Sequence, residues 1–78
     1  MSTEAEIRII ITEVVEGFDG DQLSRDTEFM DSGLDSLDMA SVMLEVQEKY
    51  DVVIAPGDED KYDTLTKLVA YIEANKDA

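Results

Sequence analysis

Apolar residues recur three and four apart at Ile7, Ile10, Ile11, Val14, Val15 and Phe18, the spacing that places side chains on one face of an α-helix. Thr3 followed by Glu6 reads as a capping box ahead of that run. The pattern therefore predicts a first helix from about Glu4 to Glu16, ended by Gly17 as a left-handed cap. From Gly17 to Asp35 the period disappears. Asp, Ser, Thr and Gly dominate, and Leu23, Phe29, Met30 and Leu34 stand singly, which predicts a long loop pinned to the core by those four and with room for a short helical turn. Asp35 is a good N-cap, and the residues after it contain neither Gly nor Pro as far as Tyr50, so a second helix is expected over Ser36 to Tyr50. In "DVVIAPGDEDKYD" the chain is broken by Pro56 and Gly57. Val52 to Ile54 has no second strand to pair with, so this stretch is expected as an extended connection or a short irregular helix. Thr64 then caps a last helix carrying Leu65, Leu68, Val69 and Ile72 and ending near Asn75. The predicted fold is all-α: a small bundle of three main helices plus a short one, with a long loop between the first two, in one domain spanning residues 1–78.

The second helix has one apolar face too many. At about 100° per residue, Met39, Val42, Met43, Val46 and Tyr50 gather on a core side, with Ala40 at its edge. Leu37 and Leu44 fall on one line with Ser41 and Glu48 on the opposite side, where they are expected to be exposed. Asp38, Glu45 and Glu48 flank them. A strip of apolar spots in a negative rim suits transient docking, charge steering the encounter and leucine supplying burial.

Composition narrows the partners. Twenty Asp and Glu against six Lys and Arg give a formal charge of −14, which repels nucleic acid and anionic membrane and favours basic patches on other proteins. The same charge opposes compaction, so salt screening is expected to stabilise the fold. At 44% hydrophobic residues the chain is nonetheless too apolar for a disordered acidic tail. Without cysteine there is no disulfide and no thiol nucleophile, a composition that suits the cytoplasm. The N-terminal residues lack the basic and apolar regions of a signal peptide, and no stretch is long enough for a membrane span. A monomer is expected.

Ser36 sits where the loop becomes the second helix. It lacks what a serine nucleophile needs: the chain has no histidine to accept its proton, and Gly33-Leu34-Asp35-Ser36-Leu37-Asp38 is not a nucleophile elbow. No metal loop emerges either, since Asp19-Gly20-Asp21 and the acids of Gly57 to Asp60 lack the spaced calcium-ligand pattern. The chain is therefore not expected to be an enzyme, and no catalytic residue is assigned. Ser36 is instead expected to be modified by another enzyme, at a helix N-terminus whose N–H groups favour an attached phosphate. The alternative is a capping role beside Asp35.

The string "DSGLDSLDMASVMLEVQEKYDVVI" resembles the acyl carrier protein family, through Gly33, Asp35, Ser36, Leu37 and Asp38 at the start of the second helix and the order of elements throughout. The resemblance implies that a phosphopantetheinyl transferase joins 4′-phosphopantetheine from coenzyme A to Ser36, and that the arm's thiol carries an acyl group as a thioester for acyl-loading ligases or synthases with basic patches. It implies that Asp35 and Asp38 engage the transferase, with Leu37 beside the attachment point. Leu37, Asp38, Ser41, Leu44, Glu45 and Glu48 would form the partner strip, and Phe29, Met39, Met43 and Val46 would line an acyl-chain cavity. Two departures point to a specialised lipid or secondary pathway, or to an aminoacyl or peptidyl cargo: Ser41 stands where fatty-acid-synthesis members place an acid, and "IAPGDEDKYD" differs from their third-helix segment. A reading of another class, a phosphorylated regulatory module, rests on Ser32 with Asp35 three residues later.

Overall fold

A computed structural model describes residues 2–55 and 57–76. Among these residues there are three α-helices, α1 (Thr3–Val14), α2 (Ser36–Tyr50) and α3 (Leu65–Asn75), joined by segments holding three short 3-10 turns at Gly20–Gln22, Phe29–Asp31 and Glu59–Tyr62. α1 packs against both α2 and α3. Ile7, Ile11, Val42, Val46, Leu65, Leu68 and Ile72 are sealed from solvent where these helices meet. Full burial of such side chains stabilises the fold by roughly 1.5–3 kcal/mol each before conformational entropy is counted.

The start of α1 differs from the prediction. Ser2, one residue earlier, is the N-cap, its hydroxyl accepting from the Ala5 amide at 3.1 Å. Thr3 is buried, donates its hydroxyl to Glu73 on α3 and accepts from Lys76 Nζ at 3.0 Å. Glu6 accepts from the Tyr50 phenol at 2.6 Å. A tertiary partner for each residue outcompeted the local capping box. The helix also stops at Val14 rather than near Glu16, because Val15 turns extended to bury its side chain. Gly17, at φ +82°, then closes a separate turn in which the Phe18 amide donates to Val15 O.

The long loop is pinned as expected at Leu23, Phe29 and Leu34, all buried. Met30 is not a pin, being 55% exposed, because the turn at Phe29–Asp31 can bury only one of two adjacent side chains. Polar ties complete the anchoring. The Arg8 guanidinium donates to Gly20 O at 2.8 Å and Leu23 O at 2.7 Å, the Thr66 amide to Arg25 O at 3.0 Å, and the Phe29 amide to Asp63 O at 2.8 Å. Gly20 is pressed so closely onto α1 that a Cβ there would lie 2.1 Å from Arg8 O, a contact no side chain tolerates.

After α2, Val52 and Ile54 are buried while Val53 faces solvent, and no strand forms. Gln47 fixes this extended piece by accepting from the Ile54 amide at 3.0 Å. The irregular helix lies at Glu59–Tyr62, and Thr64 caps α3 by accepting from the Lys67 amide at 3.2 Å. The expected break at Pro56 lies outside the described residues.

Candidate functional site

The start of α2 is built by two aspartates. Asp35 Oδ1 accepts from the Asp38 amide at 2.8 Å, and Asp38 Oδ2 accepts from the Asp35 amide at 3.2 Å. This reciprocal box satisfies two amides that the first turn would otherwise leave without a partner. Upstream, Gly33 at φ +102° bends the chain so that Leu34 is buried and Ser36 emerges, a conformation a side chain would strain. Ser36 is thus the first helical residue, exposed, and its hydroxyl makes no hydrogen bond to another described residue. Asp35, not Ser36, performs the capping.

The strip on α2 forms as the heptad spacing required. Leu37 is 78% exposed and Leu44 57% exposed, with Ser41, Glu45 and Glu48 also at the surface and Asp38 half-buried in its capping bond. On the other flank of the same helix, Ser36 stands at the edge of a pocket of about 290 Å³ whose apolar wall comprises Phe29, Met30, Met39, Ala40 and Met43. Its remaining wall is the turn after α2, with Glu59, Asp60, Tyr62 and Asp63. Of the four residues expected at a cavity, Phe29, Met39 and Met43 line it. Val46 does not: it is sealed in the core between the helices, on a different part of the broad apolar face. Sequence reasoning missed the second wall, because a 3-10 turn has no periodic apolar signal. "KYD" between Gly57 and Thr64 was the only hint.

Electrostatics divides the molecule. Hydrogen bonds hold four carboxyls below their usual range: Glu4 bonded to Arg25, Glu6 to Tyr50, Asp63 to Lys67 and Glu73 to Thr3. Burial, then the bond to Glu6, pushes the Tyr50 phenol well above the ordinary phenol range. Only Asp63 among these touches the pocket. Among the described residues no group of His, Cys, Asp and Glu is arranged to hold a metal ion.

Comparison with known proteins gives the family. The family model described as "Phosphopantetheine attachment site" matches residues 6–72, a span that includes Ser36. The chain belongs to this family. It is 30% identical to an acyl carrier protein of Helicobacter hepaticus over 77 residues, covering 97% of this chain and all of that relative. It is 34% identical to one of Chlorobium luteolum over 74 residues, with 90% and 95% coverage. A mitochondrial acyl carrier protein of Saccharomyces cerevisiae is 33% identical over 76 residues, which span 87% of this chain and 61% of the longer yeast protein. As a member of the family this carrier holds 4′-phosphopantetheine covalently and is not itself an enzyme. The local geometry fits that group: an exposed hydroxyl, unengaged among the described residues, at a helix N-terminus beside a largely apolar pocket. No helix among the described residues is long and apolar enough to cross a membrane.

Proposed function

We propose that Ser36 is the attachment point, and that the carrier delivers acyl groups as thioesters to partner enzymes of a specialised lipid or secondary pathway. The observation that carries this reading is the exposed Ser36 hydroxyl, bonded to no other described residue because the capping box uses Asp35 and Asp38 instead. Bound there, the arm supplies the thiol that this cysteine-free chain lacks. The protein's own residues present the serine, hold α2 rigid beneath it, and offer Leu37, Leu44, Glu45 and Glu48 to basic partner surfaces. Asp35 and Asp38 each keep one carboxylate oxygen outside the capping box to meet the transferase. Phe29, Met39 and Met43 give the pocket a deformable lining for a carried chain, methionine adapting to irregular shapes.

The specialised pathway rests on Ser41, which leaves the middle of the strip uncharged, and on the acid-lined second wall of the pocket. An aminoacyl cargo is the second reading, favoured by Glu59 and Asp60 at that wall, because a carboxylate attracts an ammonium group. A phosphorylated module is disfavoured, since the Ser32 hydroxyl is half-buried and donates to Glu28 O at 3.0 Å. Incubation with coenzyme A and a broad-specificity transferase should add one phosphopantetheine per chain, and Ser36→Ala should remove that addition without lowering the melting temperature. Modification that persists in Ser36→Ala would overturn the assignment.

A further inference from the structure

The face of α2 turned away from the Ser36 pocket borders a second concavity. It lies between α1 and α2, measures about 430 Å³, and is floored by Ile9 and Ile10. Ile9 breaks the amphipathic pattern of α1: it points off the core stripe and is 41% exposed. Glu13 on α1 and Glu45 and Glu48 on α2 rim the groove, and none of the salt bridges among the described residues falls on it. Glu6 adds a fourth carboxylate, with one oxygen already occupied by the Tyr50 phenol. Lys49 alone opposes them, and it leans toward Tyr50, 5.8 Å from the ring centroid.

Charge selects the occupant. A chain at −14 repels a second copy of itself, nucleic acid and anionic lipid alike, which leaves a cationic protein segment. The trough between two packed helices suits a third helix, laid with one large apolar side chain on Ile9 and basic residues along both rims. We propose that the α1–α2 groove docks a cationic amphipathic helix of a partner protein, at a surface distinct from the Ser36 pocket. Glu45 and Glu48 belong both to this groove and to the strip, while Ser36, Met39 and Met43 lie on the opposite flank of α2. A partner seated in the groove therefore leaves Ser36, Asp35, Leu37 and Asp38 open to the transferase, while an enzyme docked along the strip would compete with it for Glu45 and Glu48.

The probe is a synthetic helical peptide of about 14 residues, with leucines three and four apart and lysines elsewhere, titrated into the ¹⁵N-labelled full chain. Saturable shifts are expected, centred on the amides of Ile9, Glu13, Glu45 and Lys49. A peptide with serine in place of every leucine should bind about tenfold more weakly, and Ile9→Gln should weaken the original peptide by about the same factor. Leu37→Gln should leave its affinity unchanged. Transfer of phosphopantetheine to Ser36 should proceed at an undiminished rate with the peptide saturating. Shifts centred on Met30, Ser36 and Leu37, equal binding of the two peptides, an unaltered affinity of Ile9→Gln, or blocked transfer would each overturn the proposal. Because Ile9 is already partly exposed, Ile9→Gln should keep its melting temperature. Should it not, Glu13→Gln combined with Glu45→Gln replaces it, with the same expected weakening and the same contradiction if affinity holds.

Discussion

The two ends of α2 are built for opposite purposes. At the C-terminal end Tyr50 is buried, its hydroxyl is held by Glu6 across to α1, and Gln47 braces the segment that follows. The buried and half-buried polar groups there have partners inside the chain, as Thr3 and Lys76 also do, while Glu48 and Lys49 stand exposed at the surface. At the N-terminal end the Ser36 hydroxyl makes no hydrogen bond to another described residue, and Leu37 and Met30 are exposed. Satisfied polar groups mark the scaffold, and the proposed attachment point lies where polar and apolar groups are exposed. The aspartates between these regimes do both, each with one oxygen inside the capping box and one outside it.

That division is breakable by substitution. The largest stability loss is expected at Gly20, on the braced side: Gly20→Ala drives a Cβ into the Arg8 carbonyl, so the loop must leave α1. A loss of about 3 kcal/mol is expected, read by denaturant unfolding at constant slope. A smaller loss would mean that the loop is not held where it lies. At the displayed end, Asp35→Ala removes the cap, with about 1 kcal/mol lost and transfer to Ser36 slowed. Unchanged stability would show that the capping box contributes nothing in solution.

Tyr50→Phe should lose about 1 kcal/mol, the net worth of its bond to Glu6. Its pH dependence sharpens the contrast. Glu4, Glu6, Asp63 and Glu73 have lowered folded-state values, so the stability they supply is complete above the unfolded carboxylate range, about 4–4.5, and is lost as pH falls through the folded values. Tyr50, raised, acts in reverse: its share is complete below the ordinary phenol value and disappears as pH rises through the folded one. Melting temperature should therefore fall on acidification below about pH 4.5, and less steeply in Tyr50→Phe. Equal slopes in the two proteins would remove Glu6 from the account. The smallest stability change belongs to the strip, where Leu37→Gln should shift unfolding by less than about 0.5 kcal/mol while weakening transferase action. A large loss there would make Leu37 scaffold rather than surface.

Much of this was legible in the residues. The period of three and four located α1, α2 and α3, and the heptad pair Leu37 and Leu44 foretold an exposed strip on a helix that also has a core face. Periodicity is strong for helices because one apolar stripe must face the core. It failed where partners are distant in sequence. Thr3 and Glu6 formed a plausible local cap, yet their partners are Glu73 and Tyr50, which no local pattern announces. Met30 and Phe29 are neighbours of equal apolarity, and only the turn geometry decides which is buried. The same holds for the pocket: Val46 shares a helix face with Met39 and Met43, but its full burial in the core takes it out of the lining, while Tyr62 enters from a turn with no period.

Ser36, and no other serine, is proposed to carry the prosthetic arm. The most direct test of that proposal is fragmentation mass spectrometry of the peptide spanning residues 30–45, taken from protein isolated from its native source, since that peptide also contains Ser32 and Ser41. Phosphopantetheine is expected on Ser36, with Ser32 and Ser41 unmodified. Phosphopantetheine on either of the other serines, or a simple phosphate on Ser32 in its place, would contradict it.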